Sequence, residues 1–167
     1  MRTLLLWFCT RLCSLWLLLE AARQSSTLKQ FILIGGDCSV GHIFKDYPAP
    51  ITETSPRQAY SGCYALTKVL EEVMIEQYQI QYGLNGTVLR APWIMEKDDF
   101  KYALSFGPDQ FGGPVWGDLI SAEKAARLAE GSFVPLMRDK KGAALKRNFV
   151  HVDDLVAALM AALDHPA

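Results

Sequence analysis

A chain of 167 residues, half of them hydrophobic, carries enough apolar material for one packed domain, so disorder is excluded as its main state. Its formal charge of -1, with acids and bases interspersed and no basic block among aromatics, argues against nucleic acid and leaves a small neutral or anionic molecule as the partner. Cys9, Cys13, Cys38 and Cys63 show neither a CxxC pair nor a neighbouring histidine, so they read as reduced thiols rather than a zinc site or disulfide framework.

Arg2 followed by Leu4 to Cys9 looks like the charged start and apolar centre of a signal peptide, but Arg11 breaks the run. A bilayer-spanning helix needs about 20 apolar residues, and Thr3 to Leu19 is short and interrupted. Removal of residues 1–22 would make the protein secreted and turn Asn85-Gly86-Thr87 into a glycosylation sequon. The competing expectation is a cytoplasmic protein, because Leu15 to Arg23 is rich in helix formers and stops at Ser25-Ser26.

Phe31 to Ile34, closed by Gly35-Gly36, reads as a strand buried on both faces of a parallel sheet. Asp37 to Tyr60, with Pro48, Pro50 and Pro56, reads as a long functional loop. Between Gly62 and Gly83 a helix is expected, with Leu66, Val69, Leu70 and Val73 on its inner face and Glu71, Glu72 and Glu76 turned away. Gly86 to Arg90 gives a second strand, ended by Pro92, and strand, helix and strand form a right-handed crossover.

Beyond Pro92 the glycine- and aromatic-rich stretch through Phe106 and Phe111 to Trp116 has no period and reads as a substrate-side excursion. Ser121 to Ala129 reads as a helix, Phe133 to Leu136 as an edge strand, and Lys140-Lys141-Gly142 as a turn. Asn148 to Val152 reads as a strand, followed by a helix from Asp153 or Asp154 through Leu163. The expected whole is one partial domain over 1–167. Residues 1–92 form the second half of a Rossmann-like core, and 93–167 form a substrate-side region that returns a strand and a helix.

The chemistry centres on Tyr64 and Lys68. Four apart on a helix, they lie on one face, so a phenol and an ammonium can act on one small volume. A phenol with an ordinary pKa near 10 is a poor acid or base at neutral pH, and an adjacent ammonium is expected to lower that pKa. Ligands in open parallel sheets bind at the carboxyl ends of the strands, and Tyr64 begins the helix that crosses between two of them.

From about Leu15 onward the sequence resembles the extended short-chain dehydrogenase/reductases, the NAD-dependent epimerase/dehydratase family. The resemblance rests on Leu18 to Arg23, Asp37 to Gly41, Tyr64-Ala65-Leu66-Thr67-Lys68 with Glu72, Leu89 to Pro92, and Arg147 to Asp154, in that order along the chain. It implies a partial doubly wound α/β sheet with an irregular substrate-binding region, and NAD or NADP as cofactor. Tyr64 would be the acid/base for hydride transfer, Lys68 would hold the nicotinamide ribose, and Pro92 would lie beside the nicotinamide ring. Arg147 would bind the diphosphate of a nucleotide sugar, for which a guanidinium is suited, or would be structural. His151 reads as a packing residue or a strand-end hydrogen bond.

Two departures stand out. Aligned on Gly41, the family's Ser or Thr that bonds the substrate oxygen is Gly36, and the loss of one such donor typically costs on the order of a hundredfold in rate. Ser39 is the nearest substitute donor, whereas an ionised Asp37 would only accept. The glycine-rich turn that cradles a dinucleotide pyrophosphate is absent, with only about thirty residues before the first strand.

Two functions therefore follow. One is an NAD(P)-dependent oxidoreductase or epimerase/dehydratase acting on a nucleotide sugar or another small carbonyl or alcohol. The other is a truncated, non-catalytic relative working as an interaction or assembly partner. A homo-oligomer is expected through the open sheet edge beside Phe31 to Ile34 or through a four-helix contact.

Overall fold

The computed structural model describes residues 2–41, 47–97, 99, 119–131, 138, 141–144 and 148–164. The chain divides into two units, Met1–Ile94 with Asn148–Ala167, and Met95–Arg147.

No glycine or proline interrupts residues 2–24, and the first unit opens with a single helix, α1 (Arg2–Gln24). It reaches well before the expected start at Leu15 and takes in the stretch that resembles a signal peptide. Among the described residues, no helix is long and apolar enough to cross a membrane. Ser25 stops α1, its Oγ accepting from the N–H groups of Thr27 and Leu28 at 3.3 and 3.1 Å.

β1 (Phe31–Ile34) pairs in parallel with β2 (Gly86–Leu89), from Phe31 opposite Gly86 to Ile34 opposite Leu89. Parallel neighbours need a crossover, and α2 (Cys63–Tyr82) supplies it. Gly83 ends α2 at φ 66°, a left-handed position that an L side chain rarely adopts; its N–H returns to the Gln79 carbonyl and the N–H of Leu84 to that of Tyr78. Gly86 is fixed by proximity, since a Cβ there would stand 2.6 Å from Ile75 Cγ2, so the absent side chain lets β2 lie close under α2.

Leu15 and Leu19 of α1 and Ile75 and Tyr78 of α2 form the core, packed against Phe31, Leu33 and Val88 on one face of the two strands. The helices run in the same direction. Arg11 meets Glu71, Leu15 and Leu19 meet Ile75 and Tyr78, and Arg23 meets Tyr82. β1 is half-buried along its length rather than fully buried, and among the described residues only β2 pairs with it.

The buried face of α2 differs from the expected one. Ala65, Thr67, Lys68, Glu71, Glu72, Ile75 and Tyr78 are buried, Leu66 is exposed, and Val69, Leu70 and Val73 are half-buried. The buried acids have countercharges on neighbouring elements, Arg11 on α1 for Glu71 and Arg90 after β2 for Glu72, which allows charge to occupy the inner stripe. Glu76 is exposed, as its position suggests.

Two further strands lie outside the parallel pair. β3 (Trp93–Met95), where irregular chain was expected, is hydrogen-bonded to β4 (Phe149–His151) in a second two-stranded sheet. The strand expected at Asn148 to Val152 thus joins β3 instead of the β1–β2 pair. α4 (Val152–Asp164) follows β4 directly. Gln30 Nε2 links the first sheet to α4, donating to Thr87 Oγ1 at 3.1 Å and to the Ala162 carbonyl at 3.0 Å.

In the second unit, α3 (Ala122–Ala129) is capped by Ser121, whose Oγ accepts from Lys124 N–H at 3.4 Å. Arg138 and Ala144 form an antiparallel bridge around the turn at Lys141 and Gly142, closed by Arg138 Nη1 donating to Gly142 O at 2.7 Å. The strand expected at Phe133 to Leu136 and the stretch from Phe106 to Trp116 lie outside the described residues.

Candidate active site

Past β1 the backbone stays alongside the chain leaving β2, with Gly35 N–H donating to Leu89 O at 2.8 Å and Asp37 N–H to Ala91 O at 3.2 Å. It then winds into a short 3-10 turn, Asp37–Val40, with Cys38, Ser39 and Val40 buried. Because the crossover returns α2 to the carboxyl end of β1, the first turns of α2 stand over that edge. Lys68 Nζ lies 3.5 Å from Ile34 O, the last carbonyl of the strand.

Tyr64 is 44% exposed at this edge, whereas Lys68, one turn on, is 5% exposed. The Arg11 guanidinium of α1 stands over the Tyr64 ring, 5.8 Å from its centroid. The phenol is pushed above its ordinary pKa, chiefly by burial and then by Cys38, with Arg11 opposing and Glu71 and Asp37 adding to the rise. This direction is opposite to the one expected from an adjacent ammonium. The physical reason is that burial outweighs the opposing charge of Arg11; Lys68 Nζ, for its part, donates to Glu71 Oε2 at 2.8 Å, so its positive charge is matched within α2. Arg11 Nε lies 3.8 Å from the other oxygen of Glu71.

Glu72, the next residue, faces a different set of partners. Arg90 holds it with two bonds, Nε to Oε1 at 3.0 Å and Nη2 to Oε2 at 2.9 Å, and Ser39 Oγ donates to Oε1 at 2.5 Å. Arg90 Nη1 also donates to the Glu53 carbonyl at 3.3 Å, and Gln58 N–H donates to Ser39 O at 2.9 Å. The clamp joins α2, the end of β2, the 3-10 turn and the loop that follows it. Ser39, expected as the substitute donor to substrate, is fully buried with its hydroxyl committed to Glu72.

Gly36 lies between β1 and the 3-10 turn. A Cβ there would stand 3.1 Å from Cys38 Sγ and 3.6 Å from Lys68 Cγ, so the absent side chain would have pointed to the lysine. Pro92 is half-buried and lines a separate cleft of about 630 Å³ with Asp37, Glu53, Arg57, Glu72 and Arg90. The structure thus groups Tyr64, Lys68 and Gly36, while Pro92 and the Ser39 partner Glu72 face the cleft. Arg147 lies outside the described residues. His151 accepts the Asp153 N–H at Nδ1 over 3.2 Å and so caps the start of α4, a strand-end hydrogen bond as expected. Among the described residues, no group of three or more His, Cys, Asp or Glu side chains is placed to hold a metal ion.

Sequence reading missed Arg11, Glu71 and Arg90. The signal for Glu71 was its position three after Lys68, a spacing that lets the two side chains meet on a helix. Arg11 and Arg90 carry no local signal, because their partners are distant in the chain.

Several solved structures share the fold. A UDP-glucuronic acid 4-epimerase from Bacillus cereus, in complex with UDP-glucuronic acid and NAD, is 19% identical over 88% of this chain and 39% of its own, with a TM-score of 0.57. A short-chain dehydrogenase/reductase superfamily protein from Agrobacterium tumefaciens with bound NAD is 21% identical over 89% of this chain and 49% of its own, with a TM-score of 0.61. A UDP-glucose 4-epimerase from Thermotoga maritima with UDP-glucose is 25% identical over 90% of this chain and 42% of its own, with a TM-score of 0.55. The chain therefore spans less than half the length of these proteins. No curated protein matches it significantly. The family model for the NAD dependent epimerase/dehydratase family matches residues 11–98, more than half of the 167, and covers α1 from Arg11, the parallel strands, the Tyr64/Lys68 helix and both glutamates. The chain belongs to the NAD dependent epimerase/dehydratase family.

Proposed function

We propose that this chain carries the acid–base half of an NAD-dependent epimerase/dehydratase or oxidoreductase site acting on a carbinol or carbonyl carbon of a nucleotide sugar or similar small molecule. The observation that carries this reading is the half-exposed Tyr64 phenol at the carboxyl edge of β1, one helical turn before Lys68. A phenol there can give a proton to, or take one from, a substrate oxygen, with Arg11 over its ring as the nearby cation that favours the ionised form.

For one end of NAD the fit is partial, since Pro92 lines a cleft that Tyr64 and Lys68 do not line. Tyr64 and Lys68 would hold the nicotinamide ribose, and Pro92 would border the ring. For the pyrophosphate the fit fails among the described residues, because β1 runs into Gly35-Gly36 and a 3-10 turn instead of a glycine-rich turn opening a helix. NAD, when bound, supplies the hydride acceptor and donor.

The test is conversion of a UDP-sugar with NAD supplied, wild type against Tyr64→Phe. Tyr64→Phe should abolish turnover while the far-UV circular dichroism is unchanged, and an unchanged rate would remove Tyr64 from the role. The reading places the protein in the cytoplasm, because removal of residues 1–22 would take Leu15 and Leu19 out of the core.

A second reading is a non-catalytic relative that works through assembly. Gly36 and the committed hydroxyl of Ser39 favour it, as do Leu6, Leu17, Leu66 and Ile80, which are exposed on α1 and α2 and suit a contact with a second copy. NADH fluorescence separates the readings: no enhancement together with a dimer by light scattering supports the second, and clear binding supports the first.

A further inference from the structure

We propose that Glu71 is a positioning residue for the Tyr64/Lys68 pair: set between Lys68 and Arg11, its carboxylate holds the lysine ammonium in a pair within α2 and withholds it from the tyrosine. This rests on the reading of Tyr64 as the acid/base and goes one step beyond it, by naming what governs the resting state of the pair.

The geometry is specific. Glu71 is buried, with Oε2 at 2.8 Å from Lys68 Nζ and Oε1 at 3.8 Å from Arg11 Nε, so one carboxylate faces two cations from two helices. The other described partner of Lys68 Nζ is the Ile34 carbonyl at 3.5 Å, a longer and uncharged contact. With both ions of the pair nearly excluded from water, their attraction is only weakly screened, and the carboxylate offsets the field of the ammonium at a third group. Among the described residues, the charged and titratable groups acting on Tyr64 include Arg11 from α1, Asp37 and Cys38 from the 3-10 turn, and Glu71 from its own helix, where Lys68 stands one turn on. With Lys68 paired, Arg11 is, among the described residues, a cation that favours the phenolate.

A lysine that serves a tyrosine must keep its charge directed there. Here the Lys68 charge becomes available only when Glu71 is removed or given another cation. A ligand seated at Tyr64 would therefore compete with Glu71 for the ammonium, and the side chain three residues on would set how readily that exchange occurs.

The experiment reads the phenol directly and needs no turnover. Tyrosinate absorbance is titrated in wild type and Glu71→Gln, each with a Tyr64→Phe counterpart subtracted so that only Tyr64 remains. In Glu71→Gln the Tyr64 midpoint should move down by about one pH unit, and by clearly less in Glu71→Gln with Lys68→Met, because the Glu71 charge itself raises that midpoint and only the released ammonium adds to the fall; equal shifts in the two overturn the proposal. An unmoved or raised midpoint overturns the proposal. If Glu71→Gln does not fold, Lys68→Met with Glu71→Leu removes both charges together. The proposal then expects the Tyr64 midpoint to stay at its wild-type value, because a neutral pair has been replaced by neutral side chains. A clear rise would mean that Lys68 had been acting on the tyrosine all along, which overturns it. Loss of turnover in Tyr64→Phe tests the acid/base role separately, so either reading can fail alone.

Discussion

The two ends of the α1–α2 pair use the same ingredients, a glutamate, a cation and a tyrosine, and arrange them to opposite effect. At the far end, Tyr78 O–H donates to Glu20 at 2.5 Å, Arg23 forks onto the same carboxylate, and its guanidinium covers Tyr82 at 4.8 Å. Burial and the bond to Glu20 push the Tyr78 phenol up to about 12, while Arg23 and then Tyr78 hold Glu20 down at about 2. At the near end, Glu71 is taken by Lys68 and Arg11, and the Tyr64 phenol stands at the surface. A phenol bonded straight to a carboxylate is a fixed donor that fastens helices. At the near end the carboxylate goes to cations instead, and the phenol beside it stays half-exposed.

The largest effect should come from breaking the near end. Lys68→Met leaves Glu71 buried with Arg11 at 3.8 Å as its remaining partner, and removal of one member of a buried pair costs about 3–5 kcal/mol. Denaturant unfolding should show that loss; a loss no larger than that of an exposed lysine would mean the pair is not formed. Between the ends, Gly86→Ala puts a methyl group against Ile75 and should cost about 1–3 kcal/mol by overpacking, lifting α2 from β2 and loosening both ends together. At the far end, Tyr78→Phe removes one charge-assisted bond and should cost about 1 kcal/mol, with the near end untouched. Smallest is the acid response. Glu20 is held below its ordinary 4.5 at about 2, so its contribution is complete above pH 4.5 and is lost as pH falls toward 2. An acid titration of helix content should therefore show a component in that window which Glu20→Gln lacks.

Much of this was legible in the sequence. Phe31 to Ile34, the helix ending at Gly83 and the strand at Gly86 follow from short-range chemistry, namely apolar runs, a left-handed glycine and a parallel crossover, and the structure has all three. Tyr64 and Lys68 were visible because their spacing is local. The inner face of α2 was misread because hydropathy periodicity sets Glu71 and Glu72 outside, and nothing nearby in the chain announces that Arg11 and Arg90 arrive to neutralise them. For the same reason Ser39 looked available: its acceptor lies 33 residues away. α1 was cut short because Arg11 reads as a break in an apolar run, whereas the fold gives that charge a carboxylate and an aromatic face.

Gly36 has ordinary extended backbone, φ −154° and ψ 145°, and space beside Lys68 that a side chain could enter if Cys38 yielded a few tenths of an ångström. Nothing in the main chain therefore requires glycine there. A serine there would bring a hydroxyl to the carboxyl end of β1, beside the stem of Lys68, with no change of backbone, so the fold can take Gly36→Ser at the cost of a small shift of Cys38.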